Sequence, residues 1–185
     1  MALRDALTGL YNRRFIEESH SALTAAATRR GSRLAIMLCD IDRFKAVNDR
    51  LGHSIGDRII KLVGERIRSA VREADIVVRL GGDEFLVILV DTVGDGPTLT
   101  AERVRREVHS ADRASPWGAV GLSVSLGLAR FPEDSDSFWE CVALADQALY
   151  QAKAEGRDRM VLWTARSTAD HNGGNGRNWP NRIKE

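Results

Sequence analysis

Apolar residues recur at helical spacing between Arg13 and Arg30, where Phe15, Ile16, Leu23, Ala26 and Ala27 share a side; Asn12 suits an N-cap and Gly31 a stop. A first amphipathic helix is predicted there. Leu34 to Cys39 is a short, nearly continuous apolar run ending in Asp40, Ile41 and Asp42, the pattern of a strand buried on both faces with carboxylates at its C-terminal end. Ligand sites in α/β sheets favour that end. A short helix from Phe44 to Arg50 and a longer one from Ile55 to Val71 follow, parted by Gly52 and His53, with Ile59, Ile60, Val63 and Ile67 as the second helix's apolar stripe. The period then changes. Ile76 to Leu80 and Phe85 to Val90 read as a hairpin around Gly81, Gly82, Asp83 and Glu84, whose turn uses glycine's freedom at positive φ and leaves the two acids at an exposed tip. A helix over Thr98 to Ser110, a strand over Ala119 to Arg130, a helix over Phe138 to Glu155 ended by Gly156, and a short strand over Met160 to Trp163 complete the pattern.

This order predicts one α/β domain over residues 1–166, with helices laid on a mixed, antiparallel-rich central sheet. From Ser167 to Asn178 the chain is polar, glycine-rich and aperiodic, so residues 167–185 are expected to form a linker or tail. No internal repeat is visible.

With 43% hydrophobic and 29% charged residues among 185, the chain has the apolar content of one globular domain. Its formal net charge is only +1 and it has no long basic run, so no general affinity for nucleic acid or an anionic membrane is implied. Anionic ligands must be held locally. Cys39 and Cys141 lie in apolar stretches without metal-type spacing and read as buried thiols of a reducing compartment. The N-terminus lacks a signal-peptide apolar core and no run is long enough to span a bilayer, so a cytoplasmic domain is expected, either on its own or as part of a larger, membrane-anchored protein.

Asp40 and Asp42 end a buried strand, and Asp83 and Glu84 cap a hairpin that could lie beside it in one sheet. Such acids could converge. Magnesium takes oxygen ligands, keeps several waters and typically binds one or two protein carboxylates plus substrate phosphates, so the pattern suits a metal–nucleotide site. The bland alternative is that acids at strand ends and turn tips are simply solvated.

Several motifs in one order bear on that choice. They are Asp5-Ala-Leu-Thr-Gly-Leu-Tyr-Asn-Arg-Arg14, Asp40-Ile-Asp-Arg-Phe-Lys-Ala-Val-Asn-Asp49, Gly52-His-Ser-Ile-Gly-Asp57, Gly81-Gly-Asp-Glu-Phe85 and Ala145-Asp-Gln-Ala-Leu-Tyr-Gln-Ala-Lys-Ala-Glu-Gly-Arg157. Together they resemble the GGDEF family of diguanylate cyclase catalytic domains over Asp5 to about Trp163. The resemblance implies a palm-like fold akin to nucleotidyl cyclases and polymerases. It also implies condensation of two GTP into cyclic di-GMP with loss of two pyrophosphates.

Residue by residue, the resemblance makes Asp40 and Asp83 metal-binding carboxylates, with the Ile41 carbonyl as a further ligand. Glu84 is the second acid of the motif, a metal ligand or the base for the ribose 3′-hydroxyl, and its role stays open. Two magnesium ions per site are implied, manganese being an alternative. Asn48 and Asp57 match the guanine-binding pair, which should reject ATP because a buried acceptor would be left unpaired; helix-end capping is the other reading of Asn48. Phe44 and Lys45, at a helix start, match the backbone that meets the β and γ phosphates. Lys153 and Arg157, four apart and expected on one helix face, match the side chains for the terminal phosphates. His53 is assigned no chemistry, and Trp117, Trp139 and Trp163 are read as packing.

One such domain holds one GTP, so a C2 homodimer with facing sites is implied. Arg72 and Asp75 match the family's inhibitory R-x-x-D site for the product, with Arg103 completing the clamp from a second domain. Asn178-Trp-Pro-Asn-Arg-Ile-Lys-Glu185 resembles the start of an EAL phosphodiesterase domain, so attached sensory or EAL domains are expected. The rival function is a non-catalytic GTP-binding or cyclic di-GMP-binding regulator of an attached phosphodiesterase.

Overall fold

The computed structural model describes residues 2–117 and 119–165; the expected linker beyond Ser167 and the EAL-like tail lie outside them. The first helix, α1 (Arg13–Arg30), follows a two-residue strand, β1 (Tyr11–Asn12). The Asn12 side chain accepts from the Phe15 N–H, and Gly31 closes the helix at φ 62°, as the flanking residues predicted. β1 itself was not predicted, being too short to carry a period. Next come β2 (Leu34–Ile41), α2 (Phe44–Leu51), α3 (His53–Ala70), β3 (Ile76–Gly81), β4 (Glu84–Leu89), α4 (Gly96–Arg113), β5 (Val124–Phe131), α5 (Phe138–Ala154) and β6 (Met160–Leu162).

The strands form one sheet in the order β1-β3-β4-β2-β5-β6. The three inner pairings are antiparallel, while β1 with β3 and β5 with β6 are parallel. The sheet is therefore mixed and antiparallel-rich, as expected. Every residue of β2 is buried, and its side chains alternate between two cores. Ala35, Met37, Cys39 and Ile41 pack with Ile59, Val63 and Ile67 of α3 and Val104 and Val108 of α4. Leu34, Ile36 and Leu38 pack on the other face with Ile16 of α1 and Phe138, Val142 and Leu149 of α5. A strand buried on both sides needs apolar residues at both parities, which is why its sequence runs rather than alternates.

One strand is shorter than expected. Ala119 to Ser123 are not in β5. Gly121 takes φ 76°, and the buried Asp112 carboxylate accepts the N–H groups of Val120 and Gly121 at 3.0 Å each. Those donors are drawn away from the ladder although the side chains still alternate.

Gly127 sets the closeness of α5 to the sheet. A methyl group built there would collide with the Ala145 carbonyl and the Leu149 N–H, so helix backbone lies directly on β5. Gly127→Ala is expected to cost about 2–3 kcal/mol, as overpacking does, read as a lower denaturation midpoint. An unchanged midpoint would contradict this contact.

Candidate active site

The pairing of β2 with β4 sets Asp40 opposite Glu84, and the Ile41 N–H donates to the Asp83 carbonyl at 3.3 Å. The hairpin turn is made by Gly81 at φ 145° and Gly82 at φ 52°, conformations costly for a side chain. Both glycines are exposed, but Asp83 and Glu84 are half-buried. The expectation of acids on an exposed tip is thus corrected, because the turn sits against the end of β2. Arg79 braces it: Nε and Nη2 donate to the Gly82 carbonyl at 3.1 and 2.8 Å, and Nη1 reaches both oxygens of Asp5 at 3.1 Å. Asp5 also accepts from the Thr8 N–H and hydroxyl. Burial alone would raise the Asp5 carboxyl, but the Thr8 and Arg79 hydrogen bonds outweigh it and hold it below its ordinary value.

Asp40 is 8% exposed, and Lys153 Nζ of α5 lies 2.8 Å from its Oδ2. Burial holds the Asp40 carboxyl above its ordinary value; Lys153 offsets part of this, and Glu84 and Asp42 add to it. Asp83 is raised too, by burial first and then by the charge of Asp40. The two carboxylates therefore repel one another in a site of reduced solvation.

Asp42 does not join them. Its Oδ2 accepts from Ser123 Oγ at 2.7 Å and the Asp158 N–H at 3.0 Å, and its Oδ1 accepts from Ser125 Oγ at 2.6 Å. Three of its acceptor positions are thus used in holding chain segments. Among the described residues no group of three or more His, Cys, Asp or Glu side chains is arranged to hold a metal. The hard oxygen donors Asp40 and Asp83 nevertheless fit magnesium, which needs only one or two carboxylates when substrate phosphates and water complete its shell, and their repulsion is what a cation would relieve.

Asn48 lies within α2, not at its end, so the capping alternative fails. Its Oδ1 is buried with no hydrogen-bond partner among the described residues, a costly state unless a ligand supplies a donor. Gly56 makes room for it: any side chain there would strike the Asn48 Oδ1 and approach the Phe44 ring at 3.2 Å. Asp57, the next residue, is exposed. In α2 the first helical bond runs from the Val47 N–H to the Arg43 carbonyl, so the Phe44 and Lys45 amides precede any helical acceptor.

Arg157 is not on the helix face of Lys153. α5 ends at Ala154, and Gly156 and Arg157 take φ 118° and 67°, turning the chain away before the fourth residue. Arg72 is exposed, whereas Asp75 is 5% exposed and its carboxylate accepts the Arg72 N–H at 2.8 Å and the Val90 N–H at 3.0 Å. Both line a cavity of about 100 Å³ with Asp91, Val93, Pro97 and Thr100. Arg103 is exposed, and its Nε donates to the Ala70 carbonyl at 2.6 Å. The Arg79–Asp5 brace and the role of Asp42 escaped the sequence reading, since each joins distant segments with no local signal.

The sequence matches the family described as diguanylate cyclase, GGDEF domain, over residues 2–159. The chain belongs to the GGDEF family. It is 39% identical over 162 residues to the diguanylate cyclase DosC of Escherichia coli K12, covering 87% of this chain and 35% of that protein. It is 38% identical to the diguanylate cyclase TpbB of Pseudomonas aeruginosa UCBPP-PA14, covering 87% and 37%. The chain thus spans about a third of the length of these relatives. Among solved structures, the GGDEF domain of DgcB from Caulobacter crescentus, in complex with c-di-GMP, superposes with a TM-score of 0.79 at 31% identity, covering 88% of this chain and 96% of that one. Diguanylate cyclase SiaD of Pseudomonas aeruginosa, with its activator SiaC, gives 0.80 at 34% identity, covering 87% and 62%. No helix among the described residues of this GGDEF domain is long and apolar enough to cross a membrane.

The raised Asp83 carboxyl has a consequence for stability. A proton held more tightly in the folded than in the unfolded chain makes folding less favourable as pH rises from the ordinary carboxylate range through the raised value. The penalty is complete near neutrality and absent in acid. Asp83→Asn should therefore melt above the parent at neutral pH, the difference vanishing as pH falls below the ordinary range. A parent that melts higher at neutral pH would show that Asp83 stabilises the site instead.

Proposed function

We propose that this GGDEF domain is a diguanylate cyclase that joins two GTP molecules into cyclic di-GMP. The observation that carries this reading is the meeting of Asp40 and Asp83, both held above their ordinary values, at the end of a strand flanked by Lys153. Asn48, with its unpaired buried oxygen, and Asp57 recognise guanine; a carboxylate can accept from N1 and N2 of guanine, where adenine offers no matching donors. The amides of Phe44 and Lys45 and the side chains of Lys153 and Arg157 hold the β and γ phosphates.

Asp40, Asp83 and the Ile41 carbonyl would hold magnesium, two ions per site, with Glu84 as a further ligand or as the base that takes the 3′-hydroxyl proton. Bound magnesium supplies charge neutralisation at the phosphates and a lowered pKa for that hydroxyl. The 3′-oxygen of one GTP forms a bond to the α phosphorus of the other as the bond to the β-phosphate bridge breaks and pyrophosphate leaves. A second, reciprocal step closes the ring. Because one domain holds one GTP, two copies must face each other as a C2 pair. Domains attached outside residues 1–166 would govern that pairing.

Incubation of the purified chain with magnesium and GTP, followed by mass spectrometry, is expected to give cyclic di-GMP. Asp83→Ala should lower the rate by about a hundredfold or more while circular dichroism stays unchanged. GTP binding without product would favour the regulatory alternative.

The cavity beside Arg72 and Asp75 supports a product site. Arg72 can pair with the guanine edge or a phosphate, and each Asp75 oxygen keeps a lone pair beyond the bond it already accepts. Arg103 would serve a ligand held by the facing domain. Cyclic di-GMP should lower the parent's rate without competing with GTP, and Arg72→Ala should need about tenfold more of it. Equal inhibition of both proteins would overturn this site.

A further inference from the structure

The loop after α5 is held at several points: the Arg157 N–H donates to the Ala152 carbonyl at 2.9 Å, and the Arg157 carbonyl accepts from Arg159 Nε at 3.2 Å. Gly156, Arg157 and Asp158 take φ 118°, 67° and 48° in succession. For the two non-glycine residues that region is sparsely populated and persists only where the surroundings enforce it. Two anchors meet at Asp158. Its N–H donates to Asp42 Oδ2 at 3.0 Å, from a residue 116 positions away, and Asp42 is itself fixed by Ser123 and Ser125. Its carboxylate faces α4, where Arg105 Nη1 donates to Oδ1 at 3.1 Å and His109 Nε2 lies 2.8 Å from Oδ2. Arg105 is oriented in turn by Glu102, 3.0 Å from its Nε. Arg105 and His109, four apart, share one face of α4. None of these residues is used by the guanine, metal or product sites.

We propose that Asp158 is a positioning residue: clamped by Asp42 at its amide and by Arg105 and His109 at its carboxylate, it fixes the backbone of Arg157 for the terminal phosphates of GTP. The proposal rests on the reading that Arg157 binds those phosphates. Arg157 is exposed and precedes Asp158 directly, so the clamp acts together with the Ala152 and Arg159 bonds in setting the direction in which the side chain leaves the backbone. A phosphate ligand on a loose loop would have to be ordered at each binding event, and that ordering lowers affinity. The clamp settles it beforehand, tying the loop to the end of β2 through Asp42 and to α4 through Arg105 and His109.

The test leaves the loop sequence intact. Arg105 and His109 side chains are 26% and 41% exposed, and alanine suits a helix, so the R105A/H109A double variant should fold. Affinities for guanosine 5′-[α,β-methylene]triphosphate and for GMP would be measured by calorimetry in magnesium. Arg157→Ala should weaken the triphosphate about tenfold and leave GMP unchanged. R105A/H109A should weaken the triphosphate by about three- to tenfold, again without effect on GMP, and adding Arg157→Ala to it should bring no further loss beyond that of Arg157→Ala alone. Arg105→Lys, which keeps a cation beside Asp158, should retain most of the parent's affinity. If R105A/H109A binds the triphosphate like the parent, or loses GMP in equal measure, the clamp is wrong while Arg157 keeps its role. If Arg157→Ala itself binds like the parent, the phosphate assignment falls and the clamp falls with it.

Discussion

Asp40 stands at the end of a strand whose every residue is buried, and Asp83 is carried to it by the neighbouring strand, so each charge is disfavoured by burial and by the other. A site of this kind does not hold itself together; left alone, the carboxylates would part or take up protons. They are kept in place by the ladders of β2 with β4 and β5, whose apolar side chains fill two cores at once. A strand paired on both edges and buried on both faces thus supports a contact between like charges. The same arrangement leaves a deficit of positive charge that a cation can fill.

Lys153 fills part of it, and its place depends on a residue with no side chain. Because Gly127 lets α5 lie directly on β5, the ammonium comes within 2.8 Å of Asp40. On the hairpin side Arg79 fastens the Gly82 carbonyl to Asp5, at the opening of the chain. Motion of that opening segment would therefore be felt at the turn that carries Asp83. The coupling is one ion pair, of which Arg79 is 13% and Asp5 22% exposed, dry enough to matter more than an open surface pair.

How much of this could be read from the chain follows from range. The run from Leu34 to Cys39, the cap at Asn12 and the stop at Gly31 were legible because neighbours within a few residues decide them. So was the hairpin turn at Gly81 and Gly82. Ala119 to Ser123 alternates like a strand, yet Asp112, on another element, takes its amides. The spacing of Lys153 and Arg157 implied a shared helix face, but the positive φ at Gly156 and Arg157 turns the chain first. Asp42 was one of four acids that could converge, but its carboxylate instead bonds Ser123, Ser125 and Asp158. The motifs assigned Asp40, Asp83 and Glu84 to a metal and left Asp42 without a role; that Asp42 is a strut depends on segments far from it in the chain.

That division between facing and bracing residues follows from what each ligand must do. The acids must approach closely despite repulsion, which a pleated ladder can enforce because its spacing is set by backbone hydrogen bonds. In the proposed site the terminal phosphates would be held by long side chains at the periphery, where a few tenths of an ångström matter less and a strained loop suffices if it is pinned. Asp42 serves both arrangements: two residues from Asp40 in the chain, it anchors the loop of Arg157 through one main-chain hydrogen bond. Its carboxylate thus fixes the distance between the acidic end of the site and the cationic end. In the proposed reaction the α phosphorus would lie at one end and the γ phosphate at the other, so that distance is one the substrate would need held.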